Sequence, residues 1–127
     1  MSNRKYPKNG LGFSRLYNAT AYSFKGFQAA WVYESAFRQE VVIGFLLLPI
    51  SFFIAESTNH WILLFASLLF VLFAEIFNSA IEAVADAVTL EHHDMIGRAK
   101  DLGSSGVFIA LIFLVIVWGD ALVRVLI

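Results

Sequence analysis

The sequence has no cysteine, and this absence removes several kinds of chemistry at once. Without a thiol, the chain can form no disulfide, no thiolate metal site and no cysteine nucleophile. Two nucleotide-binding patterns are also missing, the phosphate-binding loop GxxxxGK[ST] and the dinucleotide fingerprint GxGxxG. Any nucleotide site in this chain therefore differs from the sites that these two patterns form in soluble proteins.

Charge is scarce as well, because only 15% of the 127 residues are charged and the net charge is −1. This balance gives no reason to expect nucleic acid as a partner. Hydrophobic residues make up 59% of the chain, and the mean hydropathy is +0.73. The apolar runs are continuous rather than alternating, which favours membrane helices over a membrane β-barrel. We therefore predict an all-α integral membrane protein, with a water-soluble helical bundle as the alternative.

We expect a single domain over 1–127 that opens with a flexible basic start at 1–12 and has no cleavable signal peptide. From Phe13 to Trp31, large apolar residues recur at helical spacing with polar residues opposite. This pattern predicts an amphipathic helix over 13–36 that lies on the membrane surface, packs on the other helices, or does both. Three apolar runs then predict transmembrane helices at about 37–55, 61–86 and 104–126.

Polar segments separate the predicted helices. The first is a hinge at Glu34–Glu40. We expect the first transmembrane helix to extend into this hinge, because its own apolar run is short for a span. The second is a turn at Glu56–His60, and the third is a polar loop at Val88–Leu102. The small residues Gly103–Gly106 open the last span and allow close helix packing.

The basic residues predict how the chain is oriented. Six precede the apolar run of the first span, the first loop has none, the second loop has two, and one follows the apolar run of the last span. By the positive-inside rule, the N-terminus and the second loop are cytoplasmic and the C-terminus is outside. Near the outer end, Asp120 and Arg124 stand four residues apart and predict an ion pair at the end of the helix.

One stretch, Ala74–Asp86, carries acids on what reads as a membrane helix. Glu75, Asn78, Glu82 and Asp86 stand three, four and four residues apart, which places them on one helical face. At about 1.5 Å per residue from Trp61, Glu75 lies about 21 Å into a hydrocarbon layer of about 30 Å, and Glu82 lies near its cytoplasmic boundary. Placing an acidic side chain at such depth costs free energy, so these acids indicate a functional site.

This arrangement has the geometry that a lipid kinase needs, and it suits a proton or ion pathway equally well. Carboxylates suit Mg²⁺ better than zinc, and Lys100 and Arg15 could hold phosphates. A cytosolic opening beside acids within the acyl layer would let a soluble nucleotide meet a lipid hydroxyl. Intramembrane carboxylates also serve proton or ion pathways, so a pathway of this kind, or an accessory subunit, is the alternative from another class.

Several segments carry a resemblance that covers nearly the whole chain after residue 12. E-I-F-N-S-A-I-E-A-V-A-D, E-H-H-D-M-I-G-R-A-K-D-L-G-S, Y-S-F-K-G-F-Q-A-A-W and E-S-A-F-R-Q-E resemble the prokaryotic diacylglycerol kinase family, which includes undecaprenol kinases. The blocks Y-S-F-K-G-F-Q-A-A-W, E-S-A-F-R-Q-E and G-R-A-K-D resemble the diacylglycerol kinases of Gram-negative bacteria more than they resemble the undecaprenol kinases. Phe77 and Ala85 depart from the usual pattern, which puts packing in doubt rather than catalysis.

The resemblance implies a homotrimer with active sites shared between protomers. It implies an enzyme that uses ATP and Mg²⁺ to phosphorylate the primary hydroxyl of 1,2-diacylglycerol, which gives phosphatidate. Undecaprenol is the alternative acceptor. The resemblance also implies that Glu75 is the catalytic base and that Glu34 and Glu82 bind Mg²⁺. The residues it implies for the nucleotide are Arg15, Tyr22, Glu34, Glu82, Glu91, His92, His93, Lys100 and Asp101. Those it implies for the lipid are Arg15, Ser23, Phe24, Gln39, Glu75, Asn78, Ser104 and Trp118.

Overall fold

The computed structural model describes residues 12–127, so the flexible start expected at 1–12 lies outside the described residues except for Gly12. The described residues form four helices and confirm the all-α class. These are α1 (Phe13–Tyr33), α2 (Ser35–Ile54), α3 (Thr58–Val88) and α4 (Asp94–Leu126). By length and composition, α2, α3 and α4 can each cross a membrane. That α1 lies on the membrane surface remains a prediction.

The corner between α1 and α2 is much shorter than the expected hinge at Glu34–Glu40. Only Glu34 leaves the helical conformation, with φ −115° and ψ 103°, and α2 begins at the next residue. The bend is therefore limited to Glu34, and the first span takes in the other residues of the predicted hinge, as its short apolar run led us to expect. Arg38 also stabilises the corner, since its Nη1 donates to the carbonyl oxygens of Trp31 (2.7 Å) and Val32 (3.1 Å) at the end of α1.

The next two connections are also shorter than predicted. α3 begins at Thr58 rather than Trp61, because the Ser57 side chain accepts a hydrogen bond from the His60 N–H and caps the helix. The polar loop predicted at Val88–Leu102 is wrong beyond residue 93. His93 accepts from the Met95 N–H, and Asp94 adds a negative charge to the first turn, so α4 begins at Asp94.

A compact apolar core lies at the end of the bundle where α2 turns into α3. Ile54, Leu64, Val117, Trp118 and Ala121 pack together there, and each is at most 8% exposed. The polar groups buried in this core have partners: the Trp118 indole N–H donates to the hydroxyl of Ser67 (3.0 Å). We call this region the turn end.

The turn end also carries the predicted ion pair. Arg124 Nε lies 2.9 Å from Asp120 Oδ2, which confirms that prediction, and Arg124 Nη1 lies 3.4 Å from Glu56 Oε2. Trp61 stacks between Phe52 and Phe65 and donates its indole N–H to Ser51 (2.9 Å). Both contacts fix the turn between α2 and α3 against its neighbours.

Candidate active site

Glu75 is the central side chain of a group of acids at the opposite end of the bundle. It lies on α3 and is only 7% exposed, although it is ionisable. Within residues 12–127, no basic side chain forms an ion pair with it. Two of the carboxylates close to it are Glu34, from the corner before α2, and Glu82, two helical turns further along α3. The fold therefore brings together three of the acids that the sequence singles out.

Glu40 is a fourth acid of this group, and sequence reasoning missed it. It lies on α2, close enough to Glu75 for their charges to repel. Its Oε2 atom is buried and has no hydrogen-bond partner among the described residues. The sequence carried one hint, because Glu40 immediately precedes an apolar run of membrane type, where an acid is costly. We call the group Glu34, Glu40, Glu75, Asn78 and Glu82 the acidic end.

Asn78 lies between the two predicted acids of α3 and is bonded to one of them. Its Nδ2 donates to Glu82 Oε1 across a long distance of 3.4 Å, as the spacing of four residues permits. The other amide atom, Oδ1, is buried and has no partner in the described part of the chain. Asn78 therefore restrains Glu82 while keeping one acceptor unused.

The acids fit one mode of Mg²⁺ binding. Residues 12–127 contain no group of three or more histidine or acidic side chains placed to hold a metal. Mg²⁺ in nucleotide sites needs no such cage, because it keeps several waters and takes one or two carboxylates together with the phosphates. Glu34 and Glu82, which flank Glu75 and form no salt bridge within that range, offer this kind of donor set.

An open polar cavity of about 350 Å³ adjoins the cytoplasmic end predicted for α3 and α4. A volume of this order falls within the range of about 300–1,000 Å³ that is typical of small-molecule sites. Four of the residues predicted to bind the nucleotide line it, together with Asp86: these are Glu91, His92, His93 and Lys100. The fold therefore brings this part of the predicted set into one place.

A salt bridge and a helix cap lie in the cavity wall. Lys100 Nζ lies 2.7 Å from Asp86 Oδ1, and both side chains are about half exposed (40% and 50%). His92 lies 3.2 Å from Asp94, and His93 caps α4. An ammonium group has three donors, so its bond to Asp86 leaves Lys100 able to bind an anion at the same time.

A narrow apolar groove of about 160 Å³ runs between α2 and α3 on the other side of the acids. Glu40 is the single charged residue of its lining, and the remainder is aliphatic, aromatic or glycine. Gly44 lies in this lining, and apart from its chain neighbours and its own helix backbone no atom lies within 4 Å of where its Cβ would be. A polar cavity and an apolar groove thus stand on either side of the acidic end.

The other predicted site residues do not join this group within the described part of one chain. Arg15, Tyr22, Ser23 and Phe24 are exposed on α1, where the Ser23 hydroxyl bonds to Ala19 and Lys25 stands over the Tyr22 ring. Three more are exposed on α2 and α4: Gln39, Asp101 and Ser104. Trp118 is buried in the core of the turn end, away from the acids.

Comparison with known proteins identifies the family. The family model for prokaryotic diacylglycerol kinase matches residues 21–122. The diacylglycerol kinase of Escherichia coli strain K12 is 46% identical over 110 residues, which covers 87% of this chain and 90% of that protein. Those of Haemophilus influenzae (44%; 87% and 94% covered) and Pseudomonas aeruginosa (42%; 91% and 94%) are similarly close. The chain therefore belongs to the prokaryotic diacylglycerol kinase family, a family of membrane lipid kinases.

Proposed function

We propose that this protein transfers the γ-phosphoryl group of ATP to the primary hydroxyl of 1,2-diacylglycerol, giving phosphatidate and ADP at the cytoplasmic face of the bacterial inner membrane. The observation that carries the proposal is the position of Glu75. This carboxylate is buried, has no cationic partner within residues 12–127, and lies in a group of acids between an apolar groove and a polar cavity. A reaction that transfers a phosphoryl group from a soluble nucleotide to a membrane lipid needs such a position.

Glu75 acts as the general base. Its carboxylate accepts the proton of the lipid hydroxyl while the hydroxyl oxygen forms a bond to the γ-phosphorus. The bond from the γ-phosphorus to the bridging oxygen breaks at the same time, and ADP carries the electron pair away. Phosphoryl transfer depends on in-line positioning and charge neutralisation more than on covalent help, so one base and a well-placed charge set suffice.

Glu34 and Glu82 would hold Mg²⁺, with Asn78 restraining Glu82. Bound there, the ion would supply positive charge to neutralise the phosphates. Lys100 and Arg15 bind phosphate oxygens, the first as a point charge and the second as a planar fork. Glu91, His92, His93, Tyr22 and Asp101 surround the nucleoside, and the cavity that several of them line supports this part of the proposal.

The lipid side uses Ser23, Phe24, Gln39 and Ser104, with Arg15 shared between the two substrates. Asn78 acts on Glu82 instead, because its Nδ2 donates to that carboxylate, and Trp118 is left out because it is buried in the core of the turn end. Most of the lipid-side residues lie away from Glu75 in one chain, as an active site shared between the protomers of a homotrimer would require. The proposed topology places the N-terminus and the second loop in the cytoplasm and the C-terminus outside. The distribution of basic residues supports it.

The experiment is a kinase assay with two acceptors. Purified protein in mixed micelles receives labelled ATP and either 1,2-diacylglycerol or undecaprenol, and the labelled lipid is measured. We expect rapid labelling of diacylglycerol and slow or no labelling of undecaprenol. Preferential labelling of undecaprenol would replace the acceptor and keep the chemistry. No labelled lipid from either acceptor, with folded protein, would overturn the kinase proposal.

A further inference from the structure

Gly103 on α4 lies close to side chains of α3, whereas the other glycines of α4 face open space. A Cβ added at Gly103 would lie 2.6 Å from Asn78 Oδ1 and 3.2 Å from Ile81 Cδ1, which is too short for both atoms to stay where they are. At Gly97, Gly106 and Gly119, no such atom lies within 4 Å of the added Cβ. The clash at Gly103 is therefore specific to one site on α3.

The atom that Gly103 accommodates belongs to a side chain of the acidic end. Asn78 Oδ1 is buried against α4 and has no partner in residues 12–127, while its Nδ2 donates to Glu82 at 3.4 Å. The amide is planar, so an atom that displaced Oδ1 would turn Nδ2 with it. The clash does not depend on which amide atom faces Gly103, because nitrogen and oxygen need similar room.

We infer that Gly103 is a positioning residue, whose missing side chain holds the Asn78 amide in the orientation that donates to Glu82. The inference rests on the proposed function, in which Glu82 is a ligand of Mg²⁺. Partners that orient a metal ligand are worth about 10- to 100-fold in metal affinity or activity. A methyl group at position 103 reaches Glu82 only through Asn78, so its effect falls on the nucleotide side of the reaction.

A simple packing role for Gly103 predicts a different pattern. If glycine only let α3 and α4 approach each other, a methyl group there would lower stability and slow the reaction with both substrates alike. If it positions Asn78, the half-saturating Mg²⁺ concentration changes while the KM for the lipid does not. Gly106→Ala is the matched control, because it adds the same methyl group one helical turn away where space is open.

The first test compares Gly103→Ala with Gly106→Ala in the lipid kinase assay and by thermal unfolding in detergent. For Gly103→Ala we expect the half-saturating Mg²⁺ concentration to rise about tenfold, with the KM for diacylglycerol unchanged within about twofold. Gly106→Ala should match the wild type in both. Equal losses in the two variants, or a Gly103→Ala enzyme with wild-type Mg²⁺ dependence, would overturn the inference.

The second test needs no activity, metal or nucleotide. The protein is labelled with ¹⁵N-asparagine in detergent micelles, and the side-chain amide signals of Asn78 are assigned by their loss in Asn78→Ser. We expect Gly103→Ala to shift these signals and Gly106→Ala to leave them in place. Unshifted Asn78 signals in Gly103→Ala would contradict the inference even if the wild type proved inactive on every lipid, so its failure and that of the proposed function are separable.

A double variant covers the case in which Gly103→Ala does not fold. Serine at position 78 is shorter and removes the clashing atom, so Gly103→Ala/Asn78→Ser should fold and unfold thermally like Asn78→Ser alone. That result would show that the methyl group acts through Asn78. A double variant that also fails to fold would show that Gly103 is needed for other contacts, and the inference would be wrong.

Discussion

The two ends of the helical bundle treat buried polar groups in opposite ways. At the turn end, the Trp118 indole is bonded to Ser67, and Arg124 is paired with two acids. At the acidic end, buried oxygens of Glu40 and Asn78 have no partner in residues 12–127. The buried carboxylate of Glu75 there has other carboxylates as its electrostatic neighbours.

This contrast separates the groups that maintain the fold from those that are available for chemistry. Burying a polar group without a partner costs free energy, so such groups survive where something else needs them. The partners that the acidic end lacks within the chain are those that a metal ion, a phosphate and a lipid hydroxyl would provide. The turn end needs none of these, since its own side chains satisfy one another.

The largest expected effect is that of Glu75→Gln. Glutamine keeps the shape but cannot accept the proton, and general base catalysis is worth about 10²- to 10⁴-fold, so the rate of phosphatidate formation should fall by that order. The thermal unfolding temperature should stay the same or rise, because a buried charge next to like charges has been removed. Glu56→Gln at the turn end is the matched control and should keep its activity. A Glu75→Gln enzyme with a normal rate would refute the role as base.

Glu82→Ala should have the next largest effect and should change the metal dependence. Removing a proposed ligand should cost at least the factor of about 10–100 that the loss of a ligand's supporting partner costs. We expect the Mg²⁺ titration of the kinase activity to shift to higher concentrations, and Glu34→Ala should behave alike. A reduced rate with the wild-type Mg²⁺ titration would remove both residues from the metal site.

Ser67→Ala should affect stability and little else. It removes the acceptor of the Trp118 indole N–H, and side-chain hydrogen bonds between membrane helices average about 0.6 kcal/mol, with a maximum of about 1.7 kcal/mol. We expect a small drop in the free energy of unfolding, measured in detergent micelles, and unchanged kcat and KM well below the unfolding temperature. A lasting loss of activity in folded protein would show that the turn end takes part in the reaction.

The smallest expected effect is that of Arg124→Gln, which breaks the ion pairs with Asp120 and Glu56. These side chains are all more than half exposed, and exposed pairs contribute about 0–1 kcal/mol. The change in unfolding temperature should be smaller than that of Ser67→Ala and should shrink further in high salt. A larger change than for Ser67→Ala would mean that these pairs, rather than the buried core, secure the turn between α2 and α3.

The sequence predicted correctly those features whose residues all lie on one helix. The spacing of Glu75, Asn78 and Glu82 on a single face needs only helical geometry, and the structure has them all on α3. The predicted ion pair of Asp120 and Arg124 follows from the same rule. Both features lie within one element, so no knowledge of packing is required.

Features that depend on two helices could not be read in the same way. Glu40 joins the acids because α2 packs against α3, and Gly103 meets Asn78 because α4 does. Residues 94–102 were predicted to form a loop because many of them are polar, but they form the first turns of α4, which His93 caps. A polar helix outside the apolar layer and a loop have similar composition, and only the cap and the packing distinguish them.

The central claim is that the acidic end performs the reaction and the turn end maintains the fold. The most direct measurement takes Glu75→Gln and Ser67→Ala in parallel and records both the initial rate of phosphatidate formation and the free energy of unfolding in the same micelles. We predict that Glu75→Gln loses the rate and keeps the stability, while Ser67→Ala keeps the rate and loses stability. Two variants that lose rate and stability together, or a Glu75→Gln enzyme that keeps its rate, would contradict the claim.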